Sequence, residues 1–389
     1  MARGFCWASP SVSEGLPTRP SAGGAEIGPG RRRACRALLA AATAAGVPAP
    51  SPGRARTAAE SAAGQPAAPD CAALRFGATL LQPTRELAGK KPQEWLEAFH
   101  ALRRTGIEEV VLQWTSFGDL DFYAGRPGAR EAMPVLPHLA RAARDAGLRL
   151  WVGLHHDQLW WNLAQRSAEE RGAYLARRLA DLQARVPALR QALGDLPQAA
   201  FAGWYIPDEI DDGTWAAPAF EAVLVRYLGA TRRLLAHDHP RRPVAVSAFA
   251  NGAQTAEGYA AQWRRVAEAG GIGRLLLQDG IGAGKRTAAE ARGTAAAIAR
   301  ALRGSQVQFG VITEFFDMRA ASPSTAGDSS TVPAKLDEIV RRASSTAGIG
   351  SVPPVSFSHI HHLSPFGGAE AEQRGKEWAA LLQRCRGRA

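Results

Sequence analysis

Short apolar runs alternate with longer amphipathic segments from residue 75 almost to the end of the chain. The runs begin at Arg75 (RFGATLLQP), Ile107 (IEEVVLQWTSF), Leu148 (LRLWVGLHHD), Ala200 (AFAGWYIPDEIDD), Pro243 (PVAVSAFAN), Arg274 (RLLLQDG), Gln306 (QVQFGVITE) and Val355 (VSFSHIHH). Their shortness and their β-branched and aromatic content predict strands. Between and after them, helical periodicity predicts helices over 92–105, 134–146, 168–193, 217–236, 257–269, 287–302, 333–345 and 369–384. Pro92 opens a first turn, and Gly106 and Gly147 follow helix ends, as helix start and stop signals require. Strand and helix in alternation predict a parallel sheet covered by helices. Eight such units over residues 74–385 predict an α/β fold of the (β/α)8 type, a TIM barrel, rather than a doubly wound sheet.

Polar residues break the apolar pattern at one end of the strands. Gln82, Gln113, Trp114, His155, His156, Asp157, Glu209, Asn251, Gln278, Asp279, Glu314, His359 and His361 all fall at outgoing strand ends or just after them, while the incoming ends read as Arg and apolar residues. In a barrel the outgoing ends share the face that carries the active site. Two acids stand out. In the fourth run Pro207 lacks a ladder donor and is expected to stop the pairing, leaving Asp208 and Glu209 at the strand tip. In the seventh, Glu314 follows VQFGVIT, where an acid is costly to bury without a purpose. Cleaving a glycosidic bond takes one carboxylic acid to protonate the leaving oxygen and a second to attack or to activate water, and Glu209 and Glu314 facing each other across a barrel mouth supply that pair. Read structurally, Glu209 is instead a loop acid beside Asp211, Asp212 and Thr214, which would cap helix four.

GWYIPDEID at 203–211, LQDGIG at 277–282 and ITEFF at 312–316 resemble a bacterial family of glycosidase-like barrels, domain of unknown function 4434, over about residues 75–383. Through it the chain resembles the clan A retaining glycosidases, whose acid/base closes strand four and whose nucleophile closes strand seven. The resemblance implies Glu209 as acid/base and Glu314 as nucleophile. It departs at Asp208, where the clan usually has an Asn that holds the sugar 2-hydroxyl; a carboxylate there is expected to raise the Glu209 pKa by like-charge repulsion. Gln113, Trp114, His155, His156, Asp157, Trp160, Trp161, Tyr205, Asp208, Asn251, Gln278, Asp279, His359 and His361 are the expected substrate contacts, with the aromatics offering faces to sugar rings. Trp151 and Trp204 lie inside strands and read as core. Two other classes use the same residues: a carbohydrate-binding barrel without turnover, and a hydrolase with a metal on His155, His156, Asp157, His359 and His361. Barrel metallohydrolases typically place His-x-His on strand one, where this chain has Leu81-Gln82-Pro83, so neither metal nor cofactor is expected. The segment DGIGAGKR at 279–286 has Asp and Arg where a phosphate loop needs Gly and Ser or Thr.

Composition narrows the partners. Of the formal charge of +11, residues 1–70 hold eight Arg and four acids, a net +4, so +7 is spread over the remaining 319 residues. No basic stripe interleaved with aromatics is present, so a carbohydrate rather than a nucleic acid is the expected partner. Residues 1–70 are rich in Ala, Pro, Gly, Ser and Arg and read as a disordered leader before a barrel over 71–389. Within 31–56, Arg31-Arg32-Arg33 precedes the apolar run 34–47, resembling an export signal of twin-arginine or general type; no run reaches the length of a membrane span. Export predicts a secreted or periplasmic protein, and a plain Ala-rich leader a cytoplasmic one. Cys71 and Cys385, just before the first strand and near the end of the last helix, fall on one face of a closed barrel, which predicts a disulfide; two free thiols are the alternative.

Overall fold

The computed structural model describes residues 70–194, 196, 199–237, 241–319 and 331–387. The leader read over 1–70 lies outside them apart from Asp70, as does the signal within 31–56. Eight parallel strands, β1 (Ala78–Leu81), β2 (Glu109–Leu112), β3 (Arg149–Gly153), β4 (Phe201–Asp211), β5 (Val244–Phe249), β6 (Arg274–Gln278), β7 (Gln308–Glu314) and β8 (Val355–Phe357), close into a barrel in sequential order. The main helices are α1 (Pro92–Thr105), α2 (Leu136–Asp145), α3 (Ala168–Leu193), α4 (Pro218–Ala236), α5 (Ala256–Gly270), α6 (Ala288–Ala301), α7 (Leu336–Thr346) and α8 (Ala369–Arg386). Local chemistry sets their ends. In α3, Ser167 accepts the Glu170 amide while the Glu170 carboxylate accepts the Ser167 amide; α1 ends at Gly106, whose φ of 101° is open to glycine.

Two runs differ from the expected strands. Pro207 does not end β4: the strand continues to Asp211, and the missing amide coincides with a break in the β4–β5 register between Ile206 and Ile210. The last run divides, because the Ser358 side chain accepts the His361 amide and caps a helical turn, His359–His362. Over the outgoing face, Ser116–Phe117, Leu120–Asp121 and Glu131–Ala132 form a small sheet with His155–His156, and Phe316–Met318 pairs with Thr331–Pro333.

The strands divide the core into two layers. Leu80, Val111, Trp151, Tyr205, Leu276, Ile312 and Phe357 fill the barrel interior, while Leu81, Val110, Trp204, Ile206, Leu277 and Val311 pack outward against the helices. Such alternation buries both faces of a parallel sheet. At the incoming end the expected Arg and apolar residues are joined by an acid. Glu109 lies 2.7 Å from Arg149 Nη2 and 2.5 Å from Arg274 Nη1, and it accepts Trp151 Nε1 at 3.0 Å. The Arg274 guanidinium also donates to Gln308 and covers the Trp151 ring. Cys71 and Cys385 form a disulfide across 314 positions of sequence, tying the segment before β1 to the end of α8.

Candidate active site

Strand alternation carries the interior layer directly into the site. Two residues beyond Leu80, Val111, Leu276 and Ile312 stand Gln82, Gln113, Gln278 and Glu314, and four beyond Tyr205 stands Glu209. Side chains of the same parity share a face, so these groups crown the interior core at its outgoing end.

Glu209 is 5% exposed. Gln113 Nε2 donates to its Oε1 at 3.5 Å, the Gln278 side chain is also bonded to it, and Gln82 Nε2 anchors Gln113 Oε1 at 2.8 Å. Trp160 Nε1 donates to the Glu209 carbonyl at 2.9 Å. Burial pushes the Glu209 carboxyl up to about 7, with the Asp211 charge adding to the effect and the Gln278 hydrogen bond opposing it. A carboxylic acid protonated near neutrality is suited to donate a proton.

Glu314 is 1% exposed. Its Oε2 accepts the Ala283 amide at 2.7 Å, while its buried Oε1 has no hydrogen-bond partner among the described residues. Asp279 stands next to it, accepting the Ile281 amide through Oδ1 at 3.1 Å and the Glu314 amide through Oδ2 at 3.4 Å. Burial raises both carboxyls, Asp279 to about 7, and Glu314 rises further because of Asp279 and, to a lesser degree, Glu209. The two acids of β4 and β7 therefore sense each other across the mouth. Arg342 on α7 opposes the rise through its charge, but its Nη1 donates to the Glu314 and Phe316 carbonyls at 2.9 and 2.7 Å, and its Nη2 donates to Asp317.

Of the expected contacts, Gln113, Gln278 and Asp279 gather with the two Glu; most of the others have work elsewhere. Asp208 has the opposite parity to Glu209 and points to the helix layer, where Arg178 Nη2 lies 2.9 Å from Oδ1 and the Tyr227 hydroxyl donates to Oδ2 at 3.1 Å. It does not raise Glu209; burial and Asp211 do. Arg178 also donates to the His155 carbonyl, and His155 Nδ1 lies 2.9 Å from Asp181, so His155 belongs to that network. Asp157 caps Leu159 and accepts the Tyr174 hydroxyl. Aromatic faces expected to be open are covered by protein. Trp160 packs on Trp215, Trp114 on Phe117 and His156, and Tyr205 is sunk in the interior core with its hydroxyl on Ser247. Trp161 is half-buried against the outer core, and Asn251 is exposed with its amide on Asp212. His359 sits behind the strands among Phe76, Phe315 and Trp378, whereas His361 Nε2 accepts the Gln82 amide at 3.1 Å beside the mouth. Burial pulls His156 and His361 down to about 4 and His359 to about 3, so these rings are neutral, and they do not converge. Asp211 and Asp212 cap loop amides rather than helix four, whose N-cap is Ala217.

Arg342, the Ala283 amide and His362, buried beside Phe316, were not legible as site groups in the sequence. Gln82 was legible, through strand parity.

Geometry and topology define a closed (β/α)8 barrel with an acidic mouth. The chain matches the family described as Domain of unknown function (DUF4434) over residues 78–366 and belongs to it. A relative, Uncharacterized protein YbcH of Escherichia coli (strain K12), is 34% identical over 208 residues, which span 53% of this chain and 66% of that protein, slightly under two thirds. Among solved structures, a candidate alpha-L-fucosidase from Bacteroides thetaiotaomicron superposes with a TM-score of 0.65 at 15% identity, covering 82% of this chain and 99% of the other. A psychrophilic glycoside hydrolase family 10 endo-beta-1,4-xylanase matches with a TM-score of 0.45 at 11% identity, covering 81% of this chain and 99% of that one. At 15% identity the likeness to the first of these is one of fold. Among the described residues no helix is long and apolar enough to cross a membrane.

Proposed function

We propose that the chain is a retaining glycosidase acting on an oligo- or polysaccharide, with Glu209 as general acid/base and Glu314 as nucleophile. The observation that supports this best is the pair itself: two inward, nearly fully buried carboxyls at the outgoing ends of β4 and β7, one held protonated near neutrality. Glu209 donates its proton to the glycosidic oxygen as the bond to the anomeric carbon breaks, and Glu314 bonds to that carbon. Water deprotonated by Glu209 then releases the sugar. For Glu314 to attack it must be ionised; burial and Asp279 oppose that state, and the Ala283 amide and the Arg342 charge favour it. Positive charge developing at the anomeric carbon favours that ionised state. The covered faces of Trp114, Trp160 and Tyr205 weigh against a non-catalytic binding barrel, which needs open platforms. The Cys71–Cys385 bridge supports export to an oxidising compartment.

A panel of nitrophenyl glycosides identifies a substrate. The matching 2-deoxy-2-fluoro glycoside is then expected to inactivate the enzyme and label the peptide carrying Glu314. The rate is expected to fall above pH 7 as Glu209 loses its proton. A product of inverted anomeric configuration, or a label on another residue, would refute the assignment.

A further inference from the structure

The loop between β6 and α6 is joined to the exit of β7 at several points. Asp279 Oδ1 accepts the Ile281 amide, and the Lys285 and Arg286 amides both close on the Gly280 carbonyl at 2.9 and 3.1 Å, with Gly280 itself at a φ of +67°. From the other side the Met318 amide donates to the Gly282 carbonyl at 3.2 Å, and the Ala283 amide reaches Glu314 Oε2. Gly282 lies in the seam. A Cβ there would overlap the Phe316 carbonyl oxygen, and it would stand 2.9 Å from Arg342 Nη1 and 3.0 Å from the Glu314 Cβ. Arg342 Nη1 grips the Phe316 and Glu314 carbonyls from the α7 side. Loop and helix thus clamp the short segment that carries Glu314.

We infer that this clamp selects the reacting oxygen: the Ala283 amide holds Oε2 of Glu314, Gly282 is the positioning residue that lets the amide reach it, and Oε1 is the atom that attacks. The inference rests on the proposed role of Glu314 as nucleophile. An Oε1 lone pair forms the bond to the anomeric carbon, the bond from that carbon to the leaving oxygen breaks, and the leaving oxygen takes the proton from Glu209. Among the described residues Oε1 is the oxygen that is buried without a partner, so it attacks without first giving up a hydrogen bond to them, while Oε2 remains on the amide throughout.

Gly282→Ala tests this by forcing the loop away from the Phe316 carbonyl and drawing the Ala283 amide off Oε2. Covalent trapping by the 2-deoxy-2-fluoro glycoside is expected to slow by about 100-fold, as misplacement of a reacting group by about 1 Å commonly does. The fall is expected in kcat more than in KM. The acid limb of the pH–rate profile is expected to move to higher pH, because Glu314 loses a donor that favours its charged form. A purely structural glycine would lower the melting temperature and leave that limb in place. Arg342→Lys keeps the charge but loses the planar guanidinium whose Nη1 serves both carbonyls while Nη2 holds Asp317, and it serves as the second variant if Gly282→Ala does not fold. It is expected to lose about tenfold with a limb shift of the same direction. The inference is overturned if folded Gly282→Ala traps within about twofold of wild type, or if Arg342→Lys leaves rate and limb unchanged. Glu314→Gln separates the two levels. If it is inactive while Gly282→Ala is normal, only the clamp is refuted; if it remains active, the glycosidase reading falls as well.

Discussion

At the incoming end of the barrel Glu109 meets two guanidiniums and an indole N–H, whereas at the outgoing end Asp279 and Glu314 lie in the field of the buried Arg342 guanidinium, which bonds backbone carbonyls and Asp317, and Glu209 is bonded by glutamine side chains. Both ends bury carboxyl groups almost completely. Removing a charge from water is costly anywhere, and an opposite charge at contact distance offsets it. The incoming acid has that partner. Among the described residues the outgoing acids have none at contact distance, and burial drives their protonation upward instead. Buried charge alone therefore does not mark a functional site; buried acid without a matched cation does.

The comparison is most sharply tested by Glu314→Gln, which is expected to reduce turnover by about 10,000-fold while the protein stays folded, as removal of a nucleophile does. Stopped assays on the glycoside identified by the panel measure it. On the incoming side, opening the Cys71–Cys385 bridge by Cys385→Ser is expected to cost roughly 5 kcal/mol on the chain-entropy model. Urea unfolding would show this, with kcat unchanged below the transition. Glu109→Gln is expected to lower stability by about 4 kcal/mol, because Arg274 and Arg149 lose a buried counter-charge, and again to spare turnover at low temperature.

Glu209→Gln is expected to have the opposite sign. Between about pH 4.5 and 7 folded Glu209 keeps a proton that the unfolded chain has released, so wild-type stability falls as pH rises through this window. Above it the native protein carries a penalty of about 3 kcal/mol that Gln lacks. The variant is expected to be inactive on unactivated substrates, yet more stable than wild type at pH 8 and level with it near pH 4. Equal unfolding midpoints at pH 8 would mean that Glu209 is matched after all, and the contrast between the two ends would fail.

Much of this arrangement was legible in the chain. Eight strand and helix units gave the barrel, and the position of Glu209 and Glu314 at the outgoing ends of strands four and seven followed from counting. The two misjudged boundaries had local causes. Pro207 removes one amide without preventing β4 from continuing, and Ser358 diverts the chain into a helical turn. Asp208 was misread although its signal was present: counting by two from Tyr205 places Glu209 inside and Asp208 outside. The aromatics near the mouth gave no such signal, since nothing local distinguishes a ring that faces a groove from one that packs on Trp215 or His156.

By itself the sequence determined what depends on neighbours along the chain: the alternation of strands and helices, their caps, the side of each strand on which an acid falls, and the family. Tertiary structure alone decided what depends on groups far apart in sequence meeting in a medium without water. It put Arg178 against Asp208 thirty positions away and Arg274 against Glu109 across 165, which gives both acids a counter-charge. It set Asp279 and the Ala283 amide against Glu314, leaving one oxygen bonded and the other buried with no hydrogen-bond partner among the described residues. Every Asp and Glu in a sequence carries nearly the same intrinsic acidity; burial and partners assign each its state, and those are properties of the folded chain.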